Sequence, residues 1–311
     1  SDIYFTVGDI IPVIANKGFI TTLACAIAMF IYYILVRKDK TEGYTRLITN
    51  QAIRNSLLIG SIVLAYLAGA FEINYQFSSR YSGMEIEIVY LQAYTFAVAV
   101  LLLQLFKRSG SFALLKFLFT AICLGIYLIN INVNYAISLD LLSGKNGALF
   151  SAHWVAAALL LWLLSDMIRF FFTMKDSEWV SYKPAFTWIA SASIILVLSV
   201  EMRHVLLWTF MDLNDESWWN NLYFKPALTI LWSICSFIMI WLGMKYRFQT
   251  LRIISLTLFT VTLIKLFTYD IVKIAPGGKI AAFILLGVLL LTVSFMYQRL
   301  KKMLIDDKTG E

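Results

Sequence analysis

Lys265 is the residue whose position points most strongly to chemistry, because it is a charged side chain inside an otherwise apolar segment. It lies in the sequence TLIKLFTYD, in which Asp270 follows five residues later. An ionisable group inside a membrane span costs about 2.5–3.5 kcal/mol on insertion scales, so it is normally paired or faces water. We therefore expect Lys265 either to form an ion pair or to serve as a ligand or proton site.

A second polar group ends another apolar segment, in the sequence SVEMRH. Its carboxylate, Glu201, is the first-choice partner for Lys265, and Asp270 is the second. We predict that Glu201, Arg203, His204, Lys265 and Asp270 converge in one polar cluster on the outward side of a membrane. Two interpretations stay open, namely a structural ion pair that fixes helix ends and a site that binds a ligand or a proton.

The other reactive side chains form no recognisable catalytic or metal motif. The two histidines, His153 and His204, have no second His or Cys at metal-ligand spacing, so no metal site is expected. The glycine-rich sequence SGKNG at 143–147 lacks the phosphate-loop pattern and is interpreted as a turn. No cofactor is expected, and an enzyme is the least favoured class because no convergent nucleophile or metal set is present.

Long apolar segments must position these residues, and their length is typical of transmembrane helices. The chain of 311 residues is 60% hydrophobic and 14% charged, whereas a soluble domain is about 25% charged. The apolar residues fall in runs of roughly 20, enough to cross about 30 Å of hydrocarbon as a helix. We predict an all-α integral membrane protein, because lipid offers the backbone no hydrogen-bond partners outside each span. The nine predicted spans are Gly18–Val36, Ser56–Phe71, Ile88–Phe106, Phe112–Ile129, Ala148–Phe170, Ala185–Val200, Ala227–Leu242, Ile253–Phe267 and Ile280–Tyr297.

Lysine and arginine residues in the short loops predict the orientation of these spans. Eighteen of the 26 basic residues fall on one side and seven on the other. We therefore expect a bacterial inner-membrane protein with the N-terminus of this chain outward and its C-terminus in the cytoplasm. The outward loops are acidic and rich in Tyr and Trp, which indicates either an interfacial aromatic belt or a vestibule for a sugar or lipid headgroup. The net charge of +7 follows from this topology, so nucleic acid is not expected as a partner.

An internal repeat is indicated by acidic residues that recur at a fixed distance. Glu72, in GAFEINYQF, precedes Glu201 by 129 residues. Asp140 precedes Asp270 by 130 residues, and each stands before a glycine-containing turn. Glu72 and Asp140 are therefore the predicted repeat equivalents of two members of the polar cluster.

The repeat predicts how the spans are grouped. Spans two to five match spans six to nine, which gives a 1 + 4 + 4 arrangement. Since four is an even number, the two units share one orientation and are parallel repeats. The predicted domains are 1–55, a first span and cytoplasmic linker that end an incomplete repeat, and the four-helix units 56–182 and 183–311, the second with a basic cytoplasmic tail.

Several segments resemble the bacterial membrane proteins grouped as domain of unknown function 2339. They are SVEMRH, KYRFQTLRIISL, TLIKLFTYD, AAFILLGVLLLTVSFMYQRL and, near the start, NKGFITTLACAIAMFIYYILVRK. The resemblance implies that this chain is the C-terminal portion of a longer protein with further spans upstream. Lys279 stands where the family pattern leads us to expect Arg, which keeps the charge but loses bidentate hydrogen bonding. The family name carries no activity, so the resemblance implies architecture and an envelope location only.

Three functional classes remain open from the sequence. The first is transport, or the handling of lipids or envelope precursors, through an outward-facing polar cavity. The second is a non-catalytic scaffold subunit of an envelope complex, in which the charges are structural. The third is a membrane enzyme acting on a lipid-linked substrate, with Glu72 or Glu201 as acid or base. Expected partners are membrane lipids and either other envelope proteins or a second copy of the chain.

Overall fold

The computed structural model describes residues 12–38, 50–81, 85–107, 112–144, 147–173, 181–210 and 220–270, together with Ile284, Gly287 and Leu291. Within these residues every regular element is helical. The α-helices are α1 (Lys17–Lys38), α2 (Asn50–Arg80), α3 (Ile86–Leu105), α4 (Phe112–Ile129), α5 (Ile131–Ser143), α6 (Ser151–Thr173), α7 (Lys183–Phe210), α8 (Leu228–Lys245) and α9 (Gln249–Lys265). Two π-helical turns adjoin the last two helices: π1 (Tyr223–Ala227) precedes α8, and π2 (Leu266–Asp270) follows α9.

The helices confirm an all-α protein with several apolar spans. The described residues contain seven helices long and apolar enough to cross a membrane, or eight if the bent pair formed by α4 and α5 counts as one span. The first eight predicted spans fall on these helices. The ninth, at 280–297, lies outside the described residues except for three helical positions, so a count of nine stays a prediction.

Two helices extend well beyond the ends that their hydropathy indicated. The second span was expected to end at Phe71 and the sixth at Val200, but α2 continues to Arg80 and α7 to Phe210. Hydropathy marks where lipid-compatible side chains stop, whereas a helix ends where its backbone hydrogen bonds stop. Glu72 and Glu201 therefore lie inside helices and not at helix ends.

The chain divides into two compact units, residues 1–163 and 164–311, with the division inside α6. The predicted domains 1–55, 56–182 and 183–311 follow the repeat rather than these contacts, and they stay a prediction.

In the first unit, small residues let the helices approach closely, as in many membrane proteins. A Cβ atom added to Gly60 of α2 would lie 2.5 Å from the Cε of Met29 in α1. A Cβ on Gly69 would meet the Tyr94 hydroxyl of α3, which donates to the Tyr66 carbonyl at 3.2 Å. The small residues of α2 thus accommodate an aromatic side chain that crosses the helix.

In the second unit, α7, α8 and α9 form the packed core. Met239, Leu251 and Ile254 make one buried cluster between these helices. The Ser236 hydroxyl of α8 donates to the Ser255 carbonyl of α9 at 2.8 Å. Beyond α9, π2 contacts π1, and this contact positions the polar residues at that end of the unit.

Candidate functional sites: an ion-pair network, a carboxylate clamp and an apolar cavity

Lys265 forms a buried ion pair with Asp270. The Lys265 Nζ atom lies 2.9 Å from Oδ1 and 3.1 Å from Oδ2 of the carboxylate. The side chains are 16% and 3% exposed, respectively. This partner corrects the predicted order, in which Glu201 came first, since no hydrogen bond or ion pair joins Lys265 to Glu201 among the described residues.

The remaining donors of the ammonium group are also used. Lys265 Nζ donates to the Thr229 hydroxyl at 2.7 Å and to the Lys225 carbonyl at 3.1 Å. The Thr229 hydroxyl in turn lies 2.5 Å from Asp270 Oδ2. A lysine has three N–H donors, and each therefore has an acceptor in this set, which we call the Lys265 network (Lys265, Asp270, Thr229 and the Lys225 carbonyl).

The two π turns explain why these four groups meet. Five residues of an α-helix turn the chain by about 500°, which would leave Lys265 and Asp270 about 140° apart around the axis. A π turn follows an i to i+5 register, and π2 thus brings the two side chains to one face. On the other side, Pro226 lies inside π1 and has no N–H, and the Lys225 carbonyl of that turn accepts from Lys265.

Glu201, Arg203 and His204 occupy the far part of α7. Glu201 and His204 are buried, with 7% and 1% exposure, whereas Arg203 is half-buried. Leu206, two residues beyond His204, packs with Tyr223 and Leu228. The Tyr223 hydroxyl also donates to the Ser199 carbonyl at 3.0 Å. Both parts of the predicted cluster thus contact π1, α7 through Tyr223 and the Lys265 network through Lys225.

Glu72 is at the centre of a separate site, the Glu72 clamp (Glu72, Ile14, Asn16 and Gln76). The Ile14 backbone N–H and the Gln76 amide each donate to Glu72 Oε1 at 2.9 Å, and the Asn16 amide donates to Oε2 at 2.6 Å. Glu72 is 6% exposed, and no cation pairs with it among the described residues. Neutral donors alone therefore hold this carboxylate, an arrangement that stabilises its ionised form.

The Glu72 clamp also fixes the start of α1. Asn16 caps that helix, because its side-chain oxygen accepts from the Phe19 N–H at 2.8 Å. Ile14 has a φ of 66°, a backbone conformation that is strained for a β-branched residue. The hydrogen bond from its N–H to Glu72 helps to hold that strained conformation.

Asp140 has an environment unlike that of Asp270. It is exposed near the end of α5, and its carbonyl accepts from the Gly144 N–H at 2.9 Å. Asp270 is 2% exposed and paired with Lys265. The two predicted equivalents therefore differ in their surroundings.

A large apolar cavity lies in the first unit, between α2, α3 and α4; we call it the leaflet cavity. Its volume is about 620 Å³, within the range of about 300–1,000 Å³ for small-molecule pockets. Only four of its lining residues carry a polar side chain or a thiol: Asn55, Tyr66, Thr95 and Cys123. The full lining is Asn55, Leu58, Ile59, Ile62, Val63, Tyr66, Thr95, Val98, Ala99, Leu102, Phe106, Leu115, Phe119, Ile122, Cys123 and Ile126.

Polar groups that the sequence interpretation missed cluster where α4 and α5 bend by 54°. The amides of Asn130 and Asn134 each donate to Gln92 Oε1 of α3 at 3.3 Å. Polar side chains inside apolar runs could have marked both this site and Thr229, because lipid leaves them no other partners. His153 is buried and stacks on Phe150, with ring centroids 4.6 Å apart, so it packs as an aromatic ring.

Comparison with known proteins decides the family. A family model described as predicted membrane protein (DUF2339) matches residues 3–300. The chain belongs to this family. The match confirms the resemblance and accounts for the apolar helices of this DUF2339 chain, which is a membrane protein with multiple spans. No curated protein and no solved structure matches it. In the described part of the chain, no group of three His, Cys, Asp or Glu side chains could hold a metal ion.

Proposed function

We propose that this DUF2339 protein is a lipid-handling membrane protein that holds an acyl chain in the leaflet cavity. The observation that carries the proposal is the shape of the cavity. Its lining covers residues 55–66 of α2, 95–106 of α3 and 115–126 of α4. Each stretch is about 16 Å long at 1.5 Å per residue, which is about half of the 30 Å hydrocarbon core. A slot of one-leaflet length lined by apolar side chains matches a single acyl chain.

This proposal differs from transport through an outward polar cavity next to Lys265. Each of the three N–H donors of Lys265 already has an acceptor in the network, so this cation is engaged within the protein. The leaflet cavity is apolar and lies toward the basic ends of its helices, at Arg54 and Lys107. By the positive-inside rule, we propose that it opens to the cytoplasmic leaflet of a bacterial inner membrane.

Native mass spectrometry of the detergent-purified full chain tests the acyl-chain site. Val98 lines the cavity, and Val98→Trp would fill part of it. The matched control is Leu101→Trp on the same helix, because Leu101 is 56% exposed and does not line the cavity. We expect the first variant to lose co-purified lipid and the second to keep it. Equal lipid retention by two folded variants would contradict the proposal.

A membrane scaffold is the second candidate, and the Lys265 network favours it. A buried pair whose donors are all used resembles a structural tie between helix ends. Cross-linking in native membranes, followed by size analysis, tests whether the chain is held in a larger assembly. A chain that migrates alone would count against the scaffold.

We also propose that the 1 + 4 + 4 repeat is real, because buried positions recur at the predicted distance. Ser61 and Ala190, 129 residues apart, are 5% and 3% exposed. Ala68 and Val197 are 1% and 0% exposed at the same separation, as Glu72 and Glu201 are at 6% and 7%. The exposed Asp140 does not follow this pattern.

A further inference from the structure

The end of the leaflet cavity where α2 and α4 begin and α3 ends carries basic and amide groups. Asn55 lines the cavity, and Arg54 lies one helical turn before Leu58, another lining residue, on the same face of α2. Lys107 directly follows Phe106, which lines the cavity where α3 ends. The apolar slot therefore has two cations and an amide at one end.

These three side chains have no polar partner among the described residues. No hydrogen bond or ion pair joins Arg54, Asn55 or Lys107 to any other described side chain. Asn55 and Lys107 are exposed, and Arg54 is half-buried. Their donors are thus available to a ligand. Lys116, which is 4% exposed and shares a face of α4 with the lining residue Phe119, adds positive charge at the same end.

The acidic residues described in these helices lie too far away to neutralise this end. Glu72 is 18 residues along α2 from Arg54, which is about 27 Å at 1.5 Å per residue. Glu87 is 20 residues from Lys107, or about 30 Å. Both distances exceed the screening length of about 8–10 Å at cellular salt. A ligand bound at Arg54 and Lys107 therefore meets an uncompensated positive field.

We propose that the bound lipid is an anionic phospholipid, with its phosphate held by Arg54, Asn55 and Lys107 and one acyl chain in the leaflet cavity. This inference rests on the proposed lipid-handling function and adds the headgroup. A guanidinium group binds phosphate oxygens through paired N–H groups, a lysine adds a point charge, and an amide donates a further hydrogen bond. A zwitterionic headgroup brings its own cation to the same positive end and is disfavoured.

The test compares two lipids of equal chain length on the full-length chain in detergent. Dioleoyl phosphatidylglycerol and dioleoyl phosphatidylcholine are titrated separately, and bound lipid is counted by native mass spectrometry. The key variant is Arg54→Gln/Lys107→Gln. Its control is Arg37→Gln/Lys38→Gln at the end of α1, which removes the same charge from exposed residues outside the cavity lining.

We expect the wild type and the control to prefer phosphatidylglycerol. The key variant should lose about tenfold of that preference while still binding both lipids through the cavity. Circular dichroism and size-exclusion profiles establish that each variant is folded.

An unchanged preference in the key variant would overturn the headgroup inference and leave the acyl-chain proposal intact. Unchanged binding of both lipids by Val98→Trp would instead overturn the acyl-chain proposal itself. Competition by inorganic phosphate as effective as that by phosphatidylglycerol would show that the site takes free phosphate, and would also overturn the inference.

Discussion

Lys265 shows, at the scale of one residue, how a charge is kept inside a membrane protein. Its counter-ion Asp270 is supplemented by a hydroxyl and a carbonyl, so that each donor is satisfied. Removing one member of such a pair leaves the other charge buried without compensation, and this costs more than removing both.

Lys265→Met is expected to lower the free energy of unfolding by roughly 3–5 kcal/mol, because it leaves the Asp270 carboxylate buried and unpaired. The double variant Lys265→Met/Asp270→Leu should recover much of that loss. Equilibrium unfolding in mixed micelles measures both. The control is Lys225→Met, because only the backbone carbonyl of Lys225 contributes to the network. Wild-type stability in the single variant would show that the pair contributes nothing.

Glu72 presents the opposite case, a carboxylate held by neutral donors. Glu72→Gln replaces an acceptor oxygen with an N–H group that faces at least one donor of the clamp. Leaving buried polar groups unsatisfied costs about 1–3 kcal/mol, so we expect the segment before α1 to detach and trypsin to cut faster at Lys17. The control is Glu87→Gln, since Glu87 forms no hydrogen bond within the described residues. Equal cleavage of the two variants would show that the clamp does not hold this segment.

At the scale of the elements, close approach between helices depends on particular glycines. A Cβ atom on Gly243 of α8 would lie 2.7 Å from the Arg252 Cγ and 3.0 Å from the Arg252 backbone nitrogen of α9. A backbone atom cannot rotate away, so the whole turn between the two helices would have to shift.

Gly243→Ala is therefore expected to lower the free energy of unfolding by about 1–3 kcal/mol, the usual cost of overpacking. Gly125→Ala is the matched control, because a Cβ at Gly125 meets nothing within 4 Å. That change should be neutral or stabilise by up to about 1 kcal/mol through helix propensity. Thermal unfolding of the two variants under one condition measures the difference, and equal melting temperatures would contradict the close contact.

At the scale of the whole molecule, the large apolar side chains that stay exposed belong to a protein surrounded by lipid. In α1 alone, Ile20, Ile27, Ile31 and Leu35 are each more than half exposed. A water-soluble surface rarely exposes so continuous an apolar face. The charges gather at the helix ends, where they meet water and headgroups.

The proposed orientation places Lys107 in the cytoplasm and Glu85 outside. On a background in which Cys25, Cys123 and Cys235 are replaced by alanine, single cysteines at these two positions should differ in reactivity. A membrane-impermeant maleimide added to intact cells should label Glu85→Cys and spare Lys107→Cys until the cells are lysed. Labelling of both positions before lysis would contradict the orientation.

The sequence by itself determined the all-α membrane class, the first eight spans and the family. Lipid requires each span to satisfy its own backbone and to present apolar side chains, so this information is local and readable from hydropathy. The polar residues within spans, including Lys265, Glu72 and Glu201, were also visible without a structure.

Only the tertiary structure decided which groups meet. Lys265 pairs with Asp270 because a π turn changes the helical register, and no hydropathy pattern announces a π turn. The Glu72 clamp joins residues 56 and 58 positions apart in the sequence, and the leaflet cavity is a gap shared by three helices. Such features depend on packing between segments that are distant in the chain, since a side chain does not encode which neighbour the fold will place beside it.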